Sequence, residues 1–223
     1  MQRQFEEELD EIKRTILTMA GMVEKGLVDI SKALAMRDAE LAEGVIEMDD
    51  EIDQYEVEID RLATEFIAKH QPTATDLRFV IVAIKLGPEI ERIADNSVNI
   101  AGRIRHMCEQ TPLGAAKDLP RMLGLAQAMV NDAIAAYVAR DAEAARNVIR
   151  RDDEVDELYW SIFRELIKFM ADDSDSIQCA IDLVLIARFI ERIADQATNI
   201  SEEVVYLVDA QPIRHVDEKD WTD

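Results

Sequence analysis

The chain has 223 residues and a formal charge of −22, from 25 Lys+Arg against 47 Asp+Glu, with 48% hydrophobic residues and 5% aromatics. That length suffices for one large or two small cores, and so acidic a field excludes nucleic-acid backbones and anionic lipid surfaces while attracting cations and basic protein patches. With only 7 Gly and 5 Pro the chain is poor in turn formers, which excludes a many-stranded sheet and points to an all-α fold.

Six long helices account for almost the whole chain. The first is expected over about Phe5 to Met36, with Leu9, Ile12, Ile16, Met19, Val23, Leu27 and Ile30 spaced three and four apart. Asp38 is placed to cap the second helix, which continues to about His70, where Gln71–Thr75 (QPTAT) ends it because proline forces its predecessor out of helical geometry. The third runs from Asp76 to about Gln110, and Thr111–Gly114 (TPLG) is the best boundary between halves. The fourth spans about Lys117 to Arg140. The fifth, capped by Asp141, spans Ala142 to Met170, and a turn over Ala171–Asp175 leads to the sixth, ending near Ala210. Thirty-residue helices would be about 45 Å long, which suits elongated up-down-up bundles. Pro88 falls inside the third helix, so a kink is expected there.

No run approaches the roughly 20 apolar residues needed to span a bilayer, and the amino terminus lacks the apolar stretch of a secretion signal. Cys108 and Cys179 have no CxxC or Cys/His spacing and read as reduced thiols, so a cytoplasmic location is expected.

The most informative feature is an internal repeat. Ile90–Ile100 (IERIADNSVNI) and Ile190–Ile200 (IERIADQATNI) match at eight of eleven positions, one hundred residues apart. Upstream, Met36–Glu40 (MRDAE) answers Ala139–Glu143 (ARDAE), and Asp49–Asp53 (DDEID) answers Asp152–Asp156 (DDEVD), both at an offset of 103. Two copies of one module follow, residues 1–110 and 113–210, each a three-helix bundle, with an acidic tail over 211–223.

Polar positions repeat along with apolar ones. Asp49/Asp53, Glu91/Asp95, Asp152/Asp156 and Glu191/Asp195 are each four apart and share a helix face, although like charges at that spacing cost a few tenths of a kcal/mol each. About a turn centred near Thr73, Asp53 lies 20 residues before and Asp95 22 after, while Asp49 lies 24 before and Glu91 18 after. About Ser174, Asp156 lies 18 before and Asp195 21 after. Equal distances from an antiparallel turn mean equal height, so four carboxylates should converge in each half.

Such a cluster calls for cations, since repulsion would otherwise raise its pKa values. All-oxygen ligation suits Mg²⁺ or Mn²⁺, carboxylate clusters also hold iron, and the pattern does not separate these from zinc. Asn99 and Asn199 can support the ligands, and Glu56 extends the first acidic row, where the second half has Tyr159 instead. The competing accounts of any one pair are a solvated acidic face or neutralisation by Arg92 and Arg192. Catalysis has less support: the positions three after Glu91 and Glu191 are Ala94 and Ala194 rather than the histidines of di-iron oxidases, and His70, His106 and His215 suggest no shared site.

The repeated block, together with Asp76–Val80 (DLRFV) and Asp49–Asp53, resembles the PhoU family of phosphate-uptake regulators over nearly the whole chain. The resemblance implies two three-helix bundles side by side, with paired acidic motifs holding metal. It assigns the ligands as Asp49/Asp53 with Glu91/Asp95, and Asp152/Asp156 with Glu191/Asp195. It further implies a non-enzymatic negative regulator of the phosphate-starvation response, often dimeric, that links the ATPase subunit of the phosphate ABC transporter to a sensor histidine kinase. Arg78 stands as a partner contact or as a snorkelling surface residue. A carboxylate-bridged metalloenzyme or metal-storage bundle is the alternative.

Overall fold

The computed structural model describes residues 2–106, 116–172 and 177–213. Among them there are eight helices and no strands: α1 Gln2–Met36, α2 Ala39–Glu47, α3 Asp49–His70, α4 Ala74–His106, α5 Leu119–Ala139, α6 Ala142–Ile149, α7 Asp152–Asp172 and α8 Ile177–Asp209. All six expected helices are present, but the second and fifth each carry a break, at Met48 and at Arg150–Arg151. The TPLG boundary, Cys108, the centre of the Ser174 turn, and His215 with the tail from residue 214 lie outside the described residues.

Apolar spacing explains α1: Ile12, Ile16, Met19, Val23, Leu27 and Ile30 are all buried. Both expected caps form. After Arg37 in left-handed geometry, Asp38 Oδ1 accepts hydrogen bonds from the backbone N–H groups of Glu40 and Leu41 at 2.9 and 3.1 Å. Arg140 and Asp141 repeat the device, with Oδ1 accepting from Glu143 and Ala144, both at 3.0 Å. These oxygens satisfy N–H groups that a helix start leaves without partners.

The kink expected at Pro88 does not interrupt α4, which stays helical through it. At the preceding Gly87, an added Cβ would stand 3.6 Å from Glu56 Cγ and 3.9 Å from Ile59 Cγ2, so α3 passes close over this stretch.

The buried apolar residues form one continuous core running through both halves. Its axis is the pair α4 and α8, which pack along one another more extensively than any other two helices. Their polar contacts run antiparallel. Arg78 Nε donates to the Leu207 carbonyl (3.4 Å), Lys85 Nζ to Glu203 Oε2 (2.9 Å), Asn199 Nδ2 to Glu89 Oε2 (3.1 Å) and Arg103 Nη1 to Asp182 Oδ1 (3.3 Å). An antiparallel seam between sequences 100 residues apart puts the pseudo-twofold axis near Ile93–Ala94 and Ile193–Ala194, all buried. Ser97 and Ser201, buried in the same helices, return their hydroxyls to the carbonyls of Ile93 and Ala197, both at 2.8 Å.

One expectation needs correction. α5 is long and apolar enough to cross a membrane by length and composition, with a mean hydropathy of 1.3. Half of that stretch is buried within the bundle, and Leu119, Met122, Leu123, Ala126, Met129 and Val130 belong to the core. It has the burial of a core helix.

Candidate metal centres

The two breaks place the acidic motifs. Met48 ends α2 and begins α3, its methyl carbon 3.4 Å from where a Cβ on Gly26 of α1 would stand. Asp49, Asp50 and Glu51 thereby occupy the first turn of α3, and Asp152, Asp153 and Glu154 the first turn of α7. Exposed N–H groups and the positive end of the helix dipole favour negative charge there. Continuous helices would have lacked this help. The clue was present in the sequence, because a run of Asp and Glu is a helix-start signal.

In the first half Asp49 and Asp53 come from α3, and Glu91 and Asp95 from α4, facing across the hairpin. The Glu91 carboxyl is pushed up to about 7, first by burial and then by the charges of Asp95, Asp53 and Glu56. Asp49 is raised by burial, then by Asp53, Asp95 and Asp50. In the second half Asp152 is pushed up to about 7 by burial, followed by Asp195, Asp156, Glu191 and Asp153. Glu191 and Asp195 are raised mainly by burial, next by Asp195 and Asp156 respectively, with Arg188 and Arg192 opposing. The eight predicted ligands thus fall into two groups of four, one per half, and Glu56 joins the first.

Two carboxylate oxygens, Asp49 Oδ1 and Glu191 Oε2, are buried without a hydrogen-bond partner. One lies in each cluster. Buried, unpartnered acceptors among mutually repelling carboxylates are what a hard cation would satisfy, so the donor set fits a divalent metal. Among the described residues, however, no three Asp, Glu, His or Cys side chains are already gathered tightly enough to hold one ion. Holding one ion would need the side chains drawn closer together.

Arg92 eases the crowding at Glu91 and Arg192 that at Glu191 and Asp195 by their charge, but a direct arginine ion pair within the cluster forms in the second half only. Arg92 is held by Glu89, Nη1 to Oε1 at 2.8 Å, and Arg192 stacks beside Phe189 with 6.0 Å to the ring centre. Arg188, not singled out from the sequence as a neutraliser, pairs with Glu191.

Of the expected supporting residues, Asn199 is committed across the seam to Glu89. Asn99 donates its amide to the Asp95 backbone carbonyl at 2.8 Å, one turn back on its own helix. Arg78 reaches Leu207 O and Thr75 Oγ1, both at 3.4 Å, and so lies along the seam between halves. His70 is structural: it contacts Glu8 at 3.0 Å and packs between Phe5 and Phe66.

A family model for the PhoU domain matches the chain twice, over residues 16–104 and 119–204, one copy in each half. The chain belongs to the PhoU family. Among PhoU relatives, the Pseudomonas putida phosphate-specific transport system accessory protein PhoU homolog is 38% identical, covering 99% of this chain and 86% of that protein. The Escherichia coli K12 phosphate-specific transport system accessory protein PhoU is 37% identical, covering 96% and 88%. The crystal structure of PhoU from Pseudomonas aeruginosa superposes with a TM-score of 0.88 at 36% identity, covering 93% of this chain and all of that one. The Streptococcus pneumoniae phosphate transport system regulatory protein PhoU superposes at 0.87 with 29% identity, covering 93% and 98%. Tandem three-helix bundles are the PhoU architecture that this chain shares.

Proposed function

We propose that this chain is a cytoplasmic, non-enzymatic accessory regulator of phosphate transport that carries metal ions on its two carboxylate clusters and acts through protein contacts. Relatives matched over nine-tenths of the chain are named as phosphate-specific transport accessory proteins, which supports the role in transport. The observation that carries the metal reading is the pair of buried, unpartnered oxygens, Asp49 Oδ1 and Glu191 Oε2, inside clusters whose members repel one another.

Asp49, Asp53, Glu91 and Asp95 would hold metal in the first half, and Asp152, Asp156, Glu191 and Asp195 in the second. A bound cation supplies positive charge where carboxylates crowd. The protein's part is mechanical: each cluster joins the start of one helix to the middle of the next, α3 to α4 and α7 to α8, so cancelling the repulsion stiffens each hairpin. A chain of charge −22 with rigid acidic clusters suits basic partner surfaces. In this reading the partners are the ATPase subunit of a phosphate ABC transporter and a sensor histidine kinase, and the chain acts as a homodimer.

The test combines elemental analysis of the purified protein with pull-down against that ATPase and that kinase, before and after chelation. Stoichiometric metal, and partner capture lost on chelation and restored by metal, is the expected result. Metal-free protein that captures both partners equally well would refute the metal-dependent part. Oxygen consumption or phosphatase turnover abolished by Glu91→Ala and Glu191→Ala would refute the non-enzymatic part.

A further inference from the structure

The two clusters are copies, yet they differ at the two positions that set their charge. Glu56 of α3 packs over Gly87 and adds its charge to those acting on Glu91. Its repeat equivalent, 103 positions on, is Tyr159 of α7. Pro88 of α4 carries no charge, whereas its equivalent, 100 positions on, is Arg188 of α8.

These exchanges act together. Arg188 Nη1 donates to Glu191 Oε1, and its guanidinium carbon lies 5.7 Å from the centre of the Tyr159 ring. The ring that replaces a carboxylate is therefore the platform for the cation that replaces a proline. The first cluster consequently has five carboxylates, and its nearby arginine, Arg92, acts on Glu91 only from a distance because its ion pair is made with Glu89. The second has four carboxylates and a built-in cation.

We propose that Arg188 competes with divalent metal for Glu191, making the first cluster the tight metal site and the second a conditional site that fills only when the guanidinium swings away. The inference rests on the reading that both clusters hold metal. A guanidinium is not deprotonated in proteins, so a metal at Glu191 must displace Arg188 and cannot neutralise it. The geometry allows that movement, because the Arg188 side chain is 44% exposed while Glu191 is 11% exposed. Glu191 Oε2 is meanwhile buried and unpartnered, so an ion can first touch that oxygen and then take up the whole carboxylate as the guanidinium leaves Oε1. The protein would then register two levels of metal with two copies of one site.

The test is a Mn²⁺ titration of the full chain at neutral pH, with free ion read by electron paramagnetic resonance and fold checked by circular dichroism. Wild type should show one tight and one weak class of site. Arg188→Gln should tighten the weak class by about tenfold or more, since it removes a full charge beside the ion, and leave the tight class unchanged. Glu56→Gln should weaken only the tight class, and Asp152→Asn with Asp156→Asn should abolish only the weak one. Mn²⁺ binding in two classes that Arg188→Gln leaves unaltered would overturn the competition while sparing the metal reading. A wild-type chain that binds no Mn²⁺ at either cluster would overturn both, and Arg188–Glu191 would be a structural ion pair.

Discussion

In metal-free protein the carboxylate clusters should make stability fall as pH rises, and metal should reverse this. Glu91 moves from 4.5 to about 7, and Asp152 from 3.8 to about 7. The folded chain thus binds these protons more tightly than the unfolded chain. Between about pH 4 and pH 7 the unfolded state carries fewer protons, so the unfolding free energy decreases with rising pH across that window. Above the folded values the penalty is fully present; below the unfolded values it is absent. One pKa unit corresponds to about 1.4 kcal/mol, but both carboxyls are partly exposed and water screens them, so we expect about 2 kcal/mol from the pair. For a chain of this size that is about 4–8 °C in melting temperature. The assay is thermal unfolding of chelator-treated protein from pH 4.5 to 8, compared with Glu91→Gln/Asp152→Asn, which separates these two groups from general repulsion in so acidic a chain. The double variant should lose the difference, and Mn²⁺ should stabilise wild type far more at pH 8 than at pH 5. An unchanged slope in the double variant would show that the clusters are not strained.

Other perturbations probe the frame that holds the sites. Asp38→Ala and Asp141→Ala should each cost about 1 kcal/mol in denaturant titrations, because each leaves two helix-start N–H groups without their acceptor. Lys85→Met should cost about 1.5–3 kcal/mol in denaturant titrations, because it removes a charged hydrogen-bond donor from Glu203, whose side chain is only 3% exposed. Gly87→Ala should be tolerated and raise the melting temperature slightly, since the nearest atom to the new Cβ lies at an ordinary 3.6 Å and alanine is favoured in helices by up to about 1 kcal/mol. A large loss there would mean that α3 and α4 pack closer than the structure shows.

What could be read in the sequence divides by range. The helices, the two Asp caps and the convergence of the carboxylates depend on local periodicity and on distance from a turn, and the residues carry both. The only signal for the breaks at Met48 and Arg150–Arg151 is the acidic run after each, because apolar spacing continues across them, with Val45, Ile52 and Ile59 buried in the first half and Val148, Val155 and Ile162 in the second. In the sequence Arg188 stands only as the counterpart of Pro88, three residues before Glu191, whereas Arg92 and Arg192 adjoin the repeated glutamates. The contact of Tyr159 with the guanidinium that pairs with Glu191 arises from packing between α7 and α8, which periodicity does not encode.

How the halves meet was beyond any periodicity argument, and the seam shows why the duplication is not symmetric. Arg103 and Glu203 occupy equivalent positions, yet they carry opposite charges, and each reaches the other central helix, Arg103 to Asp182 and Glu203 to Lys85. The equivalents of those partners are Val82 and Leu185, both apolar and without charge to offer. Two copies of the first half packed by the same operation would set Arg103 against Val82, and two copies of the second would set Glu203 against Leu185. Each like-with-like pairing would replace a charged partner with an apolar side chain, a loss felt most at Glu203, which is 3% exposed, and least at Arg103, which is 42% exposed. The mixed pairing gives both charges an opposite partner, so these four residues favour docking of a first half on a second half at the height where α4 and α8 align. That alignment sets α4, which carries Glu91 and Asp95 of the first cluster, against α8, which carries Glu191 and Asp195 of the second.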